Sequence, residues 1–397
     1  MYRYIRANMS TGNVRVFDLP KERWSLGGRG LISQILYTEM DPSADPLCPK
    51  NVLVLASGMF AGCPLSCFDE VFLGAKSPST GRLESVRFMS RASRLMASMD
   101  VRLAIFEGQP SDDNRQYVLL LDRGRVSLVD MEELMPSSSA AEMGGYALHE
   151  DMQKHFGRNA CIITWGHAAV VCSPEASLLV SGASANTLKN IPGRGLSAVM
   201  ASKGLRAIVL RGGSSMFSFK CSSSHRAESI CRDTECLLCC ARLHNELKNT
   251  PYAQTSLCRD CLEQAPQIPG LERVCTDLGL CPAVFSPELL SFSASDEPAL
   301  RMHVLETFRK YSSASLRPHI EERPDDQMLA AFDSMGLCPR ALHPEEHERA
   351  LSLMADLAGA VYGGTWNKDT LLRMGADTLS KEKAFNSWAE SAPANYR

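Results

Sequence analysis

Cys258 and Cys261 form a C-x-x-C pair. Two thiolates at that spacing in a loop reach one metal ion or one iron–sulfur cluster. The same spacing serves a redox dithiol, and the residues alone leave both readings open. Gly193 and Gly195 flank Arg194. Glycine on both sides lets the backbone turn sharply and come close to a ligand. A guanidinium beside free amides at a helix start suits an anion, although a Gly-Arg-Gly loop by itself is more often a plain turn. Cys231, Cys236, Cys239 and Cys240 form a second group, of which Cys236, Cys239 and Cys240 would share one helix face, either as ligands or, the preferred reading, as small buried thiols that pack as hydrophobes. No Ser-His-Asp or Cys-His arrangement and no Walker loop stands out.

Two regions must position these groups. Residues 1–212 read as β-rich with a few helices. Tyr4 to Asn8 alternates, Ser10-Thr11-Gly12-Asn13 turns, and Val14 to Phe17 returns, which predicts a hairpin. Helical spacing is found over 30–40 and 147–156. Buried strands are expected at 51–57 and 71–73, and further strands at 103–106, 117–121, 126–129 after a tight turn over 122–125, 160–164, 170–171 and 178–180. After Arg194, Leu196 to Ser202 has helical spacing, Gly204 can stop that helix, and Ala207 to Leu210 is a short buried strand. Composition changes at Gly213-Ser214-Ser215, which reads as a linker. Residues 213–397 are helical in pattern, with segments over 234–249, 299–311, 327–332, 344–362 and 369–388. No internal repeat is evident.

Bulk properties narrow the class. With 397 residues, the chain can bury a sizeable core. A net charge of -3 gives no reason to expect a nucleic-acid or membrane partner. No apolar run is long enough to span a bilayer, and Met-Tyr-Arg-Tyr-Ile-Arg lacks the apolar core of a signal peptide, so a cytoplasmic location is expected. The 15 cysteines, odd in number and without an export signal, favour reduced thiols or a cluster over a disulfide framework, which suits an anaerobic cell.

Four stretches in order carry a resemblance. They are Trp24-Ser25-Leu26-Gly27-Gly28-Arg29-Gly30-Leu31, the acidic Pro-rich residues 37–49, Gly74-Ala75-Lys76-Ser77-Pro78-Ser79-Thr80-Gly81, and the stretch from Ile191 through Gly193-Arg194-Gly195 to Gly212. Together they closely resemble the N-terminal domain of the tungsten-dependent aldehyde ferredoxin oxidoreductase family. The resemblance implies an α+β fold. Residues 1–212 would be the β-rich base on which a bis-pterin tungsten cofactor lies, and residues 213–397 a reduced α-helical region with the Cys motifs. It further implies that Cys258, Cys261 and Cys338 hold a [4Fe–4S] cluster, and that Gly193, Arg194, Gly195 and Asp333 touch the pterins. Aldehydes would be the substrate and ferredoxin the electron acceptor.

Several positions depart from the family pattern. The third cluster cysteine is Ala265. The first of two Asp-x-x-Gly-Leu segments has Thr276 in the acid position, with Asp277 one residue off. An arginine that would bind cofactor phosphate is Glu70, so attraction becomes repulsion. A small-residue run that would face the pterin is Arg87-Phe88-Met89-Ser90, and Arg87, Arg91 and Arg94 read as a solvated helix face. The stretch between Cys281 and Asp333 is too short for the segments that carry the family's catalytic Glu and His. The chain therefore reads as a shortened, divergent member, and whether it is an enzyme stays open. One reading is an active tungsten- or molybdenum-pterin [4Fe–4S] oxidoreductase. The other is an accessory or electron-transfer subunit in an oligomer, paired with a full-length homologue or a ferredoxin-like carrier. The departures favour the second and count against a bound pterin.

Overall fold

The expected hairpin opens the chain as β1 (Arg3–Asn8) and β2 (Asn13–Asp18), paired in register from Arg3↔Asp18 to Asn8↔Asn13. In this computed structural model the described residues are 1–63, 68–112, 114–135, 143–171, 173, 176–181, 188–212, 268, 270–280, 282, 297–311, 327–337 and 347–391. After the hairpin come α1 (Gly28–Glu39), β3 (Leu53–Ser57), β4 (Glu70–Lys76), β5 (Leu83–Met89), α2 (Ala92–Ser98) and β6 (Val101–Glu107). The strands form one mixed sheet in the order β2-β1-β6-β3-β4-β5.

The next hundred or so residues (about one small domain's worth) use the same plan again. A hairpin of β7 (Tyr117–Asp122) and β8 (Arg125–Asp130) leads through a short α3 (Met131–Leu134) to α4 (Gly145–Phe156). Then come β9 (Cys161–Trp165), a short α5 (His167–Val170), β10 (Leu178–Ser181), β11 (Leu188–Ile191), α6 (Leu196–Ser202) and β12 (Leu205–Arg211). The second sheet, read from its β8 edge, runs β8-β7-β12-β9-β10-β11, the order of the first. Pairing senses match too. β6 and β12 lie parallel to β1 and β7, and antiparallel to β3 and β9.

Details repeat with the plan. Arg102 and Arg206 are the extra residues of the β1–β6 and β7–β12 ladders. Each is buried, and each points its guanidinium at a carbonyl near the end of the neighbouring strand, Gly58 just past β3 or Trp165 at the end of β9. Arg102 donates to Gly58 O at 2.6 Å and lies 4.1 Å from the Tyr2 ring centre, while Arg206 donates to Trp165 O at 2.6 Å and lies 3.9 Å from the Trp165 ring centre. A hydrogen-bonded guanidinium over an aromatic face is a tolerable buried cation. The expectation of no internal repeat is thus corrected. The repeat survives in backbone geometry and a few buried contacts, and most equivalent positions carry unrelated side chains. A second correction concerns 170–171. The expected strand there is the end of α5 and a turn, with Val170 and Val171 both exposed; a two-residue apolar run has no periodicity to tell a strand from a helix end.

Both sheets share one core, which includes Ile5, Leu55, Phe106, Leu119, Ile163 and Ile208. Helices α7 (Leu271–Leu278) and α8 (Glu297–Tyr311) add Val274, Leu278, Leu300 and Val304 to it. Three more helices, α9 (Gln327–Met335), α10 (His347–Tyr362) and α11 (Lys368–Ser391), gather around Met59, Phe60 and Phe68 of the first half. Burying Phe332, Met335 and Leu337 there is worth about 1.5–3 kcal/mol each and seats α9 on the base. Among the described residues no helix is long and apolar enough to cross a membrane.

Candidate functional site

The Gly-Arg-Gly loop joins β11 to α6; the sequence predicts the helix but not the strand before it. Arg194 (φ 47°) and Gly195 (φ 77°) both take left-handed backbone, and a Cβ on Gly195 would meet Ser79 Oγ at 2.6 Å. The loop is therefore pressed onto the Lys76-Ser77-Pro78-Ser79 turn. Ser77 Oγ donates to Arg194 O at 2.6 Å. The Arg194 guanidinium pairs with Glu84 of β5, Nη1 to Oε2 2.9 Å, with side chains only 10% and 15% exposed. Lys76 runs the other way. Its Nζ donates to Pro42 O at 2.7 Å and Ala44 O at 2.9 Å, pinning the acidic Pro-rich loop. Three of the four recognition stretches thus meet in one corner, bonded to each other.

Asp333 lies near the end of α9 and is buried. Its Oδ1 accepts from Arg87 Nη1 at 2.9 Å, and its Oδ2 faces Arg29 Nη1 at 3.4 Å. Arg29 in turn holds Glu382 of α11 through Nε (2.8 Å) and Nη2 (2.6 Å), and Ser33 Oγ donates to the same carboxylate at 2.8 Å. Two guanidiniums and two carboxylates balance, which is the condition for burying charge without a large penalty. Burial works against the Arg29 charge, but the Glu382 hydrogen bond and the Glu382 and Asp333 carboxylates outweigh it and hold its pKa above the ordinary arginine value. Beside this network the backbones touch. Met59 N and Phe60 N donate to Ser334 O and Met335 O, each at 3.2 Å, and a Cβ on Gly58 would stand 2.3 Å from Gly336 Cα.

The expected helix face of Arg87, Arg91 and Arg94 is not formed. Arg87 belongs to strand β5, Arg91 precedes α2, and Arg94 lies on α2 and pairs with Asp69 at 2.5 Å. Burial pushes the Asp69 carboxyl up to about 6, against the opposing pull of Arg94. Glu70, beside it, is buried at the start of β4, across the ladder from Met89.

In the second half Thr276 of α7 takes the place of an acid. Asn190 Nδ2 donates to Thr276 Oγ1 at 3.2 Å and to Leu280 O at 2.7 Å. Asp277 points away, as its one-residue offset implies. It accepts from Tyr146 N at 3.2 Å at the start of α4 and pairs with Arg301. An acid at a helix start meets the positive end of the macrodipole.

Cys258, Cys261 and Cys338, with Ala265, lie outside the described residues. Among the described residues no three His, Cys, Asp or Glu side chains gather as a metal site. Cys275 is fully buried. The described groups that the resemblance assigns to the pterins do not fit them in this arrangement. Both Asp333 oxygens are engaged by guanidiniums, Arg194 is engaged by Glu84, and Gly193 and Gly195 are pressed against Ala176 O and Ser79 Oγ. Sequence reasoning missed Glu84, Arg29 and Glu382 as partners. Arg29 carried a signal, a charge inside the Gly27-Gly28-Arg29-Gly30 run; Glu382 carried none.

Against known proteins, the family model described as the aldehyde ferredoxin oxidoreductase N-terminal domain matches residues 4–212. The chain belongs to the aldehyde ferredoxin oxidoreductase family. The tungsten-containing aldehyde ferredoxin oxidoreductase of Thermococcus kodakarensis is 30% identical over 217 residues, 53% of this chain and 33% of that protein. The Pyrococcus furiosus relative of the same description is 42% identical over 82 residues, 20% of this chain and 13% of its own length. The chain thus spans a third or less of these relatives. Its fold is similar to a chain of the active site complex BamBC of benzoyl coenzyme A reductase in complex with 1,5-dienoyl-CoA. That likeness has a TM-score of 0.68 at 14% identity, over 99% of this chain and 91% of the other. At that identity the likeness speaks to fold, and activity must be read from sites.

Proposed function

We propose that this family member does not itself oxidise aldehydes and serves as an accessory or electron-transfer subunit. The observation that carries this reading is the Arg87–Asp333 ion pair. A carboxylate that would accept pterin N–H groups instead accepts from an internal guanidinium. In the electron-transfer form, Cys258, Cys261 and Cys338 hold an iron–sulfur cluster completed by a fourth ligand in place of Ala265. The partner is a full-length homologue or a ferredoxin-like carrier. The test is aldehyde-dependent reduction of ferredoxin by protein purified without oxygen. No turnover is expected; sustained turnover would overturn the reading. The cluster is read separately, from the thiolate-to-iron absorption, which should vanish when Cys258 and Cys261 are both changed to Ser.

A second reading is supported by the retained Gly193-Arg194-Gly195 loop and by the tungsten-containing relatives. In it the chain is an active tungsten- or molybdenum-pterin [4Fe–4S] oxidoreductase that passes electrons from aldehydes to ferredoxin.

A further inference from the structure

Arg87 and Asn190 occupy the same place in the two halves. Ala56 and Thr164 are the fourth residues of the five-residue strands β3 and β9, each strand succeeded by a glycine, Gly58 or Gly166, one residue beyond its end. Ala56 pairs with Phe72, and Phe72 pairs with Arg87. Thr164 pairs with Leu179, and Leu179 pairs with Asn190. Their partners correspond as well. Asp333 and Thr276 each stand three residues before a left-handed glycine, Gly336 (φ 76°) or Gly279 (φ 70°). Each of those glycines lies so close to Gly58 or Gly166 that a Cβ would stand 2.7 or 2.5 Å from the facing Cα.

From this correspondence we infer that Arg87–Asp333 and Asn190–Thr276 are equivalent struts. They hold α9 and α7 on the two halves of the base and close it with no pterin between the layers. The inference rests on the non-oxidising reading above and extends it to how the chain stays folded. Each strut is chemically matched, a cation with a carboxylate in the first half and an amide with a hydroxyl in the second. Asn opposite Asp333 would leave that buried carboxylate with only the longer Arg29 contact, and Thr opposite Arg87 would take the counter-charge from a guanidinium that is three-quarters buried.

Copying the second strut into the first tests this. Arg87→Asn, Asp333→Thr and the double variant are made in the full chain, in a host unable to make pterin cofactors. Wild-type chain should fold there with the same Tm as from a pterin-making host. Each single change should lower Tm by several degrees, and the double should recover most of the loss. If a single variant does not fold, recovery of soluble protein in the double reads the same coupling. A double as damaged as the two singles combined would overturn the struts while leaving the non-oxidising reading intact. Wild-type chain that folds only when the host supplies pterin would overturn the inference, and aldehyde turnover by that protein would separately overturn the functional reading.

Discussion

Arg194 and Glu84, 110 residues apart in sequence, meet in a 2.9 Å ion pair that joins the second half of the base to an edge strand of the first. Both side chains are nearly out of water, so the pair is worth more than a surface bridge. Glu84→Gln should cost about 2 kcal/mol by urea unfolding, in the range for charge-assisted hydrogen bonds. A loss within error of zero would show the pair to be incidental.

Glu382 is the counter-charge of a nearly buried guanidinium. Glu382→Leu leaves Arg29 with the longer Asp333 contact and should lose about 3 kcal/mol or more. Replacing both partners, Arg29→Met with Glu382→Leu, should recover part of that, because an apolar pair leaves no stranded charge. Additive losses in the double would contradict the network.

Lys76 sits in one of the four stretches that carry the resemblance, and its ammonium is held by the Pro42 and Ala44 carbonyls. Lys76→Met should cost about 2 kcal/mol and speed proteolysis within residues 41–49. Unchanged cleavage would show that the loop holds without it.

These contacts mark what could be read from the chain and what could not. The helix Leu196–Ser202, the stop at Gly204 and the strand beyond it were legible because a helical period, a glycine and an apolar run succeed each other locally. The first hairpin was legible for the same reason. On α11, apolar spacing points to Leu371, Leu372, Met374, Leu379, Ala384 and Phe385; Leu371 and Phe385 are buried and the other four half-buried, while Gly375 and Thr378, which that spacing does not mark, are buried. Small residues at a close helix contact leave no hydrophobic signal. The repeat was hidden because Asp100 and Gly204 can serve one left-handed turn, and Arg87 and Asn190 one strut, with nothing in common as letters. Arg87 also has its partner 246 residues away, beyond any local pattern.

His149 is buried against Ser181 Oγ at 2.9 Å, and burial pushes its pKa down to about 4 from 6.5. The unfolded chain therefore takes up this proton first as pH falls. The site's contribution, complete above about 6.5, should fade between about 6.5 and 4, a loss of about 2–3 kcal/mol. Unfolding free energy measured across that window should fall more steeply for wild type than for His149→Gln. Parallel curves would place the pH dependence elsewhere.

The most direct test of the central claim, that the base is closed by its own side chains, is elemental analysis of chain purified without oxygen from its native host. The account predicts no stoichiometric tungsten or molybdenum, with iron present only if the Cys258 and Cys261 pair holds a cluster. One tungsten or molybdenum per chain, lost together with the fold on chelation, would contradict it.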